Sequence, residues 1–118
     1  MDEDEETLVV HTEQPWEPHP LIADAQLAYH LTARESRAQI TCALVRLGTG
    51  VRPPAHRHES SSDIFYVLRG RGWIWVEKHG DIELSEGMFV RIPRGLWHRP
   101  HDIAEDLLLF NVWAPALI

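Results

Sequence analysis

The sequence predicts a single-domain, all-β protein, either a barrel or a sandwich. Its 118 residues are enough for one modest hydrophobic core but not for two. Short runs of strand-forming residues alternate with turns that contain Gly or Pro, a spacing typical of β-sandwiches and β-barrels. No long stretch has helical periodicity, and only residues 23–33 are ambiguous between helix and strand.

The first 26 residues differ in composition from the rest of the chain. Five of the first six are acidic, and Pro15, Pro18 and Pro20 follow. We therefore predict an acidic tail and a Pro-rich arm over residues 1–26, and a barrel domain over residues 27–118. The tail explains most of the formal charge of −7, because without it the 18 acidic residues become 13 against 11 basic ones.

The remaining chain divides into short predicted strands separated by turn signals. We predict strands over residues 27–32, 38–47, 64–69, 73–77, 82–84, 88–92 and 107–113, with a polar loop over 33–37. The stretch Gly70-Arg71-Gly72 predicts a hairpin turn between two of these strands. A dinucleotide-binding loop is excluded there, because the third glycine is missing and a strand follows in place of a helix.

The charge, the hydropathy and the cysteine count limit which binding partners and which cellular location we expect. A nucleic-acid partner normally requires a basic stripe, which the chain lacks, and no segment remains for a helix-turn-helix. No apolar run approaches the length of about 18 residues that a membrane span requires. Cys42 is the only cysteine, so we expect no internal disulfide and a buried, inert thiol. The N-terminus lacks the pattern of a secretory signal, and we expect a cytoplasmic protein.

Four residues predict one metal site. His56 and His58 lie two apart, so on extended backbone both imidazoles point to the same side. Asp63 follows after a short turn at the start of a predicted strand, and His98 opens a later extended stretch after a Pro-x-Gly turn. Three imidazoles and a carboxylate favour a divalent transition metal over calcium or magnesium, which prefer ligand sets made only of oxygen.

The glycines and prolines around these residues resemble those of a known family, the cupins. The first cupin motif resembles Gly50-x5-His56-x-His58-x4-Asp63-x6-Gly70, and the second resembles Gly87-x5-Pro93-x-Gly95-x2-His98. The resemblance spans residues from about 40 to 113. It implies an antiparallel double-stranded β-helix, or jelly-roll barrel, that is usually assembled as a homodimer.

Two positions depart from the family pattern. The family generally has Glu where this chain has Asp63, and Asn where it has Asp102. The shorter side chain of Asp63 has to approach the ion more closely, so it is either a weak ligand or an acceptor beside a site of three histidines. The change at Asp102 falls on a structural position of the family. A barrel that no longer binds metal is the remaining alternative.

The barrel interior is the expected ligand cavity. Phe65 and Val67 share the parity of Asp63 and are predicted to point inward with it. Trp73 and Trp75 share one strand face and Ile74 and Val76 the other, and one of these faces lines the cavity. Core or interface packing is the more common role of such aromatic side chains, but a cavity lined by them would favour an apolar or aromatic substrate.

Three arginines and one further histidine could either act on a substrate or lie on the solvated surface. Arg46, Arg91 and Arg99 have the chemistry to clamp a carboxylate or an enolate, but each also suits a solvated surface. His101 is a candidate proton shuttle, although its neighbours favour an exposed turn.

Two classes of function remain open. The first is a metal-dependent enzyme acting on a small organic substrate that is apolar, aromatic or enolisable. The resemblance implies dioxygenase chemistry, or Lewis-acid isomerase or cyclase chemistry, with Fe(II) or Mn(II) favoured and Zn, Ni or Cu as alternatives. The second is a non-catalytic module that binds a small ligand in the same cavity.

Overall fold

The computed structural model describes residues 10–118, so the predicted acidic tail lies outside the described residues. These residues form seven strands and one short helix: β1 (Glu17–Pro18), β2 (Gln26–Leu31), α1 (Ala33–Ser36), β3 (Thr41–Leu47), β4 (Ser62–Val76), β5 (Gly80–Ser85), β6 (Phe89–Ile92) and β7 (His98–Ala114). Within the described part of the chain, no helix has the length and apolar character needed to cross a membrane.

The strands form one antiparallel sheet in the order β1-β2-β3-β7-β4-β5, with β6 pairing with β4. The 15-residue β4 and the 17-residue β7 pair from Ser62 opposite Ala114 to Val76 opposite His98. On its other edge, the first half of β4 pairs with β6 and the second half with β5. Two long strands that change neighbours along their length fold the sheet over on itself. The prediction of an all-β jelly-roll barrel is confirmed.

Alternate residues of the strands fill the interior of the barrel. In β4, Asp63, Phe65 and Val67 point inward and are 6%, 3% and 0% exposed, as the alternation predicts. Further along the strand, Ile74 is buried while Trp73 is 36% exposed. The aliphatic face of this segment, not its tryptophan face, therefore lines the interior. Each large aliphatic side chain buried in this way stabilises the fold by about 1.5–3 kcal/mol.

The hairpin predicted at residues 70–72 is wrong, because β4 continues through it without a turn. The pairing between β4 and β7 instead shifts register between Val67 and Trp73. Gly70 has a φ of +98°, and a Cβ there would overlap the backbone carbonyl of Asp106 and lie 2.8 Å from Cα of Leu107. The glycines thus permit a bulge and a close approach of two backbones, in the middle of a long strand.

Other predicted elements differ in their bounds. Strand β7 begins at His98 and not at residue 107, since residues 98–105 pair with the second half of β4. Strand β3 begins at Thr41 and not at residue 38, and the predicted polar loop contains α1. These differences follow from pairing with distant strands, which local composition does not encode.

The described part of the N-terminal arm packs against the barrel. Strand β1 pairs with β2, and the amide of His19 donates to the carbonyl of Ala25 at 2.9 Å. The Arg46 guanidinium lies 3.7 Å from the ring centre of Trp16, a cation–π contact. Ile22 is 3% exposed and belongs to the hydrophobic core. The domain division at residue 26 stays a prediction.

Two glycine-to-alanine substitutions distinguish the cost of a strained backbone conformation from the cost of a steric clash between two strands. Gly70 and Gly80 both have positive φ, but a Cβ at Gly80 would meet nothing within 4 Å. We expect Gly80→Ala to cost about 1–2 kcal/mol from backbone strain alone. Gly70→Ala should cost at least about 2 kcal/mol more, because the two strands must also separate. Urea unfolding of both variants measures the difference, and equal losses would contradict the close approach.

Candidate metal centre

The structure brings three of the four predicted ligands into one compact group. The ligand nitrogens of His56, His58 and His98 lie within 4.8 Å of one another. The ring centres of His56 and His98 are 4.3 Å apart, and that of His58 is 5.2 and 5.4 Å from them. The backbones of His56 and His98 exchange hydrogen bonds of 2.9 and 2.8 Å, an antiparallel pair that fixes the spacing of the two rings.

The backbone determines which ring nitrogen of His98 carries the proton in the neutral form. Its Nδ1 lies 2.9 Å from the carbonyl oxygen of Leu96, and only a protonated Nδ1 makes that hydrogen bond. In the neutral ring the lone pair is then on Nε2, which is buried and has no hydrogen-bond partner among the described residues. Metal-binding histidines commonly donate their second ring N–H to a carbonyl in this way. The geometry of His98 therefore suits a metal ligand.

Asp63, the second residue of β4, lies beside the histidine group. Its Oδ2 is 3.6 Å from Nε2 of His58 and 3.5 Å from Nε2 of His98. These distances are too long for good hydrogen bonds. Ligand atoms about 2.1 Å from one ion and about 90–110° apart are separated by about 3.0–3.4 Å, which is close to the distances found here. Its Oδ1 accepts a hydrogen bond of 2.9 Å from Nδ2 of Asn111, which leaves Oδ2 facing the histidines.

Burial and neighbouring charge set the ionisation of the group. Burial lowers the pKa of His56 to about 4, and the nearby His98 and His58 act in the same direction. His56 is therefore neutral at pH 7, which is the form that binds a metal. Burial alone would raise the pKa of the Asp63 carboxyl, but His58 and His98 outweigh it and hold the pKa below its ordinary value.

The charge of this site calls for a cation. An ionised Asp63 would be a buried charge, since the residue is only 6% exposed, and such a charge is costly unless a charge of opposite sign lies close to it. No Lys or Arg is found among the described residues that line the cavity. Three nitrogen donors and one oxygen donor match a divalent first-row transition metal. The residues present therefore fit a resident metal ion.

The cavity includes residues that the sequence reasoning missed. It has a volume of about 40 Å³, and His19, Asn111 and Trp113 line it together with the four predicted ligands. Asn111 is a polar residue at an inward-pointing position of β7, between buried Leu109 and Trp113. A polar residue at a position where the alternation predicts an apolar, inward-facing one is the sequence signal that points to Asn111. No pattern in the sequence connects His19 to the site.

The arginines considered as substrate clamps lie elsewhere. Arg46, Arg91 and Arg99 are exposed, and none of them lines the cavity. Arg46 contacts Trp16 and Gln26 on the outer surface. Their surface interpretation is the one that the structure favours.

His101 lies within β7 and not in an exposed turn. Its two ring nitrogens are 2.6 Å from Oδ2 of Asp102 and 2.8 Å from Oδ1 of Asp81, and its ring stacks on Trp73. The hydrogen bond with Asp102 raises the pKa of His101, against a smaller opposing effect of burial, and Asp81 raises it further. This bridge joins β7 to β5 outside the cavity.

Comparison with known proteins identifies the family. A model of the Cupin domain matches residues 43–113, more than half of the chain. The chain belongs to the cupin domain family. A search of curated proteins found no match for this cupin.

Several solved structures share the fold. A predicted oxalate decarboxylase from Thermotoga maritima is 21% identical, with a TM-score of 0.79 over 92% of this chain and 99% of the other. KdgF from Halomonas sp. is 20% identical, with a TM-score of 0.72 over 92% and 94%. The polyketide cyclase RemF from Streptomyces resistomycificus is 16% identical, with a TM-score of 0.75 over 95% and 86%. At these identities the likeness shows the fold alone.

The role of Asn111 is testable by substitution. In Asn111→Leu, Oδ1 of Asp63 loses its donor, and we expect the unfolding free energy to fall by about 1–3 kcal/mol. Because Asp63 is no longer oriented, affinity for added Co(II) should fall by about 10–100-fold, as measured by calorimetric titration. In an Asp63→Asn background the same substitution should cost little further affinity. Equal losses in both backgrounds would contradict an action through Asp63.

Proposed function

We propose that this cupin is a metal-dependent enzyme acting on a small organic substrate. His56, His58 and His98 are the proposed metal ligands, and Asp63 is the proposed fourth. The observation that carries the proposal is the convergence of three imidazoles, two of them buried and that of His56 half-buried, on a buried carboxyl group that has no neighbouring Lys or Arg. A cation at the centre of such a donor set compensates the charge of the buried carboxylate.

The resident ion is proposed to be Fe(II) or Mn(II), with Zn, Ni or Cu as alternatives. When bound, it supplies Lewis acidity toward a substrate oxygen and, for iron or manganese, the capacity for dioxygenase chemistry. The chain itself holds the ligands in place: the Leu96 carbonyl selects the tautomer of His98, and Asn111 orients Asp63. Buried apolar side chains such as Phe65 and Ile74 limit the access of water.

The small cavity favours an enolisable substrate over an aromatic one. A volume of about 40 Å³ holds roughly three water molecules, at about 10–15 Å³ each. A benzene ring fills an enclosed apolar cavity of about 150 Å³, so the space beside the histidines suits a smaller molecule better. We therefore propose a short enolisable or carboxylate substrate. Dioxygenase chemistry and Lewis-acid isomerisation are both compatible with such a molecule.

Metal analysis tests the ligand set. Protein purified without chelator, or reconstituted with Fe(II), Mn(II), Ni(II) or Zn(II), should contain about one ion per chain by elemental analysis. His56→Ala and His98→Ala should each abolish metal binding, because two imidazoles and one carboxylate hold an ion weakly. His79→Ala, at an exposed position of the turn over residues 77–79, is the matched control and should retain the metal. A wild-type protein that takes up none of these ions would refute the proposal.

The same preparations separate an enzyme from a binding module. Fe-loaded protein should consume oxygen with a short diketone or 2-oxo acid, followed with an oxygen electrode, if the chemistry is of the dioxygenase type. Zn-loaded protein should exchange the α-protons of such a substrate with deuterium if it is of the Lewis-acid type. Thermal stabilisation by these compounds without turnover in either assay would favour the non-catalytic module.

A homodimer is proposed for the assembly. Outward-facing Leu44, Tyr66, Leu68, Leu108 and Phe110 line an apolar groove of about 440 Å³ on the outer face of the sheet. Contiguous exposed apolar surface of this kind commonly marks an interface. Sedimentation velocity should give about twice the chain mass of 13.6 kDa. Phe110→Glu should give the monomer, whereas Glu83→Lys, on another surface, should not. The cytoplasmic location stays a prediction.

A further inference from the structure

A fourth histidine, His19, lies at the metal cavity and comes from the N-terminal arm. It is flanked by Pro18 and Pro20, is partly buried, and lines the same cavity as His56 and His58. It directly follows β1, which pairs with β2, so the arm is attached to the barrel next to this residue. His19 belongs to neither cupin motif.

The hydrogen bonds of His19 determine which ring nitrogen carries the proton. Nδ1 lies 3.0 Å from the amide nitrogen of Leu21 and 3.1 Å from that of Ile22. Both amides are donors, so Nδ1 must present its lone pair to them, and in the neutral ring the proton is on Nε2. Burial, opposed in part by Asp63, lowers the pKa of His19 to about 4, which agrees with a neutral ring.

This tautomer excludes His19 from the metal ligands and makes it a donor. A protonated Nε2 has no lone pair for an ion. Among residues 10–118, no side chain or carbonyl accepts a hydrogen bond from this Nε2. Trp113, which lines the same cavity, also has a buried ring N–H without a partner. The cavity thus combines a proposed cation with the buried N–H of Trp113, which lacks an acceptor, and the N–H of the half-buried His19 ring.

The net charge of the site indicates what those donors would bind. Three neutral imidazoles, one carboxylate and a divalent ion leave a net charge of +1, which favours a single negative charge on the ligand. The cavity of about 40 Å³ admits a group of a few non-hydrogen atoms. Hydrogen bonds from neutral N–H groups to a charged oxygen are among the stronger ones in proteins.

We propose that Nε2–H of His19 is a ligand-binding donor that, together with the metal, holds an oxygen of a small monoanionic carboxylate. The proposal rests on the metal centre proposed above, and it adds a specificity residue and a ligand charge to it. In this arrangement the arm acts as one wall of the binding site. A ligand with no anionic oxygen gains no hydrogen bond from His19 and leaves the buried N–H of Trp113 unsatisfied, so it binds less well.

Two substitutions separate the donor from the local turn. In His19→Asn the side-chain oxygen occupies a position close to that of Nδ1, so it still accepts from Leu21 and Ile22, but no group reaches the cavity. In His19→Gln the longer amide replaces the donor at Nε2 and loses the acceptor at Nδ1. His79→Asn is the matched surface control.

The experiment uses the full chain loaded with Co(II), with formate as the probe and the visible d–d absorption as the readout. His19→Asn should retain one Co(II) per chain and weaken the dissociation constant for formate about 10–100-fold. His19→Gln should stay within about threefold of the wild type, and His79→Asn should not differ from it.

Each other outcome overturns the inference in a recognisable way. If His19→Asn loses Co(II), His19 is a metal ligand. Unchanged formate binding by His19→Asn, or equal weakening in His19→Asn and His19→Gln, would mean that His19 only shapes the turn. If the wild-type protein binds Co(II) but not formate, the proposed carboxylate binding by His19 is contradicted, whereas the proposed metal centre is not. Wild-type protein that binds no Co(II) contradicts the proposed function as well.

Discussion

The bend in the β4–β7 ribbon is the constraint on which the site depends. Asp63 lies near one end of this ribbon and His98 at the other, opposite Val76. A straight ribbon would hold them many residues apart, yet Oδ2 of Asp63 is 3.5 Å from Nε2 of His98. The ribbon must therefore double back, and it does so where its register shifts around Gly70. A glycine that touches no ligand makes the juxtaposition possible.

Electrostatics then limits what the assembled site can hold. Burying an ionised carboxylate among neutral imidazoles is energetically unfavourable. A neutral imidazole carries no positive charge, so it compensates little of the lost hydration of the carboxylate. Protonating His58 or His98 would supply that charge, but at the cost of burying imidazolium groups close together. A metal ion solves both problems, since it neutralises Asp63 and also binds the Nε2 lone pair of His98 that has no other partner. The donor atoms are therefore more consistent with a bound cation than with a proton network.

Much of the fold was predictable from the sequence, and so was part of the candidate site. Strand parity placed Asp63, Phe65 and Val67 inward, because a strand with one buried face has period two. The local sequence does not predict the structure correctly where contact with a distant strand determines it. Gly70 and Gly72 are as compatible with a hairpin as with a bulge. The bulge forms because the backbone of Asp106 lies against Gly70. His19 was unpredictable for the same reason, since its position follows from how the arm docks. The metal ligand set stays a prediction.

The site is largely formed by the polypeptide before any ion binds. The reciprocal hydrogen bonds of His56 and His98, and the bond from Asn111 to Asp63, hold the donors through contacts that do not involve a metal. In the described part of the chain, 17 buried residues also form one hydrophobic core, unlike small domains that fold only around zinc. Metal binding should therefore raise the stability of an already folded barrel by mass action. Because the donors are held in advance, little ordering entropy opposes the binding of a metal and a small anion. The arm that carries His19 is bound to the same barrel by short backbone contacts, so the wall it provides is part of the folded state.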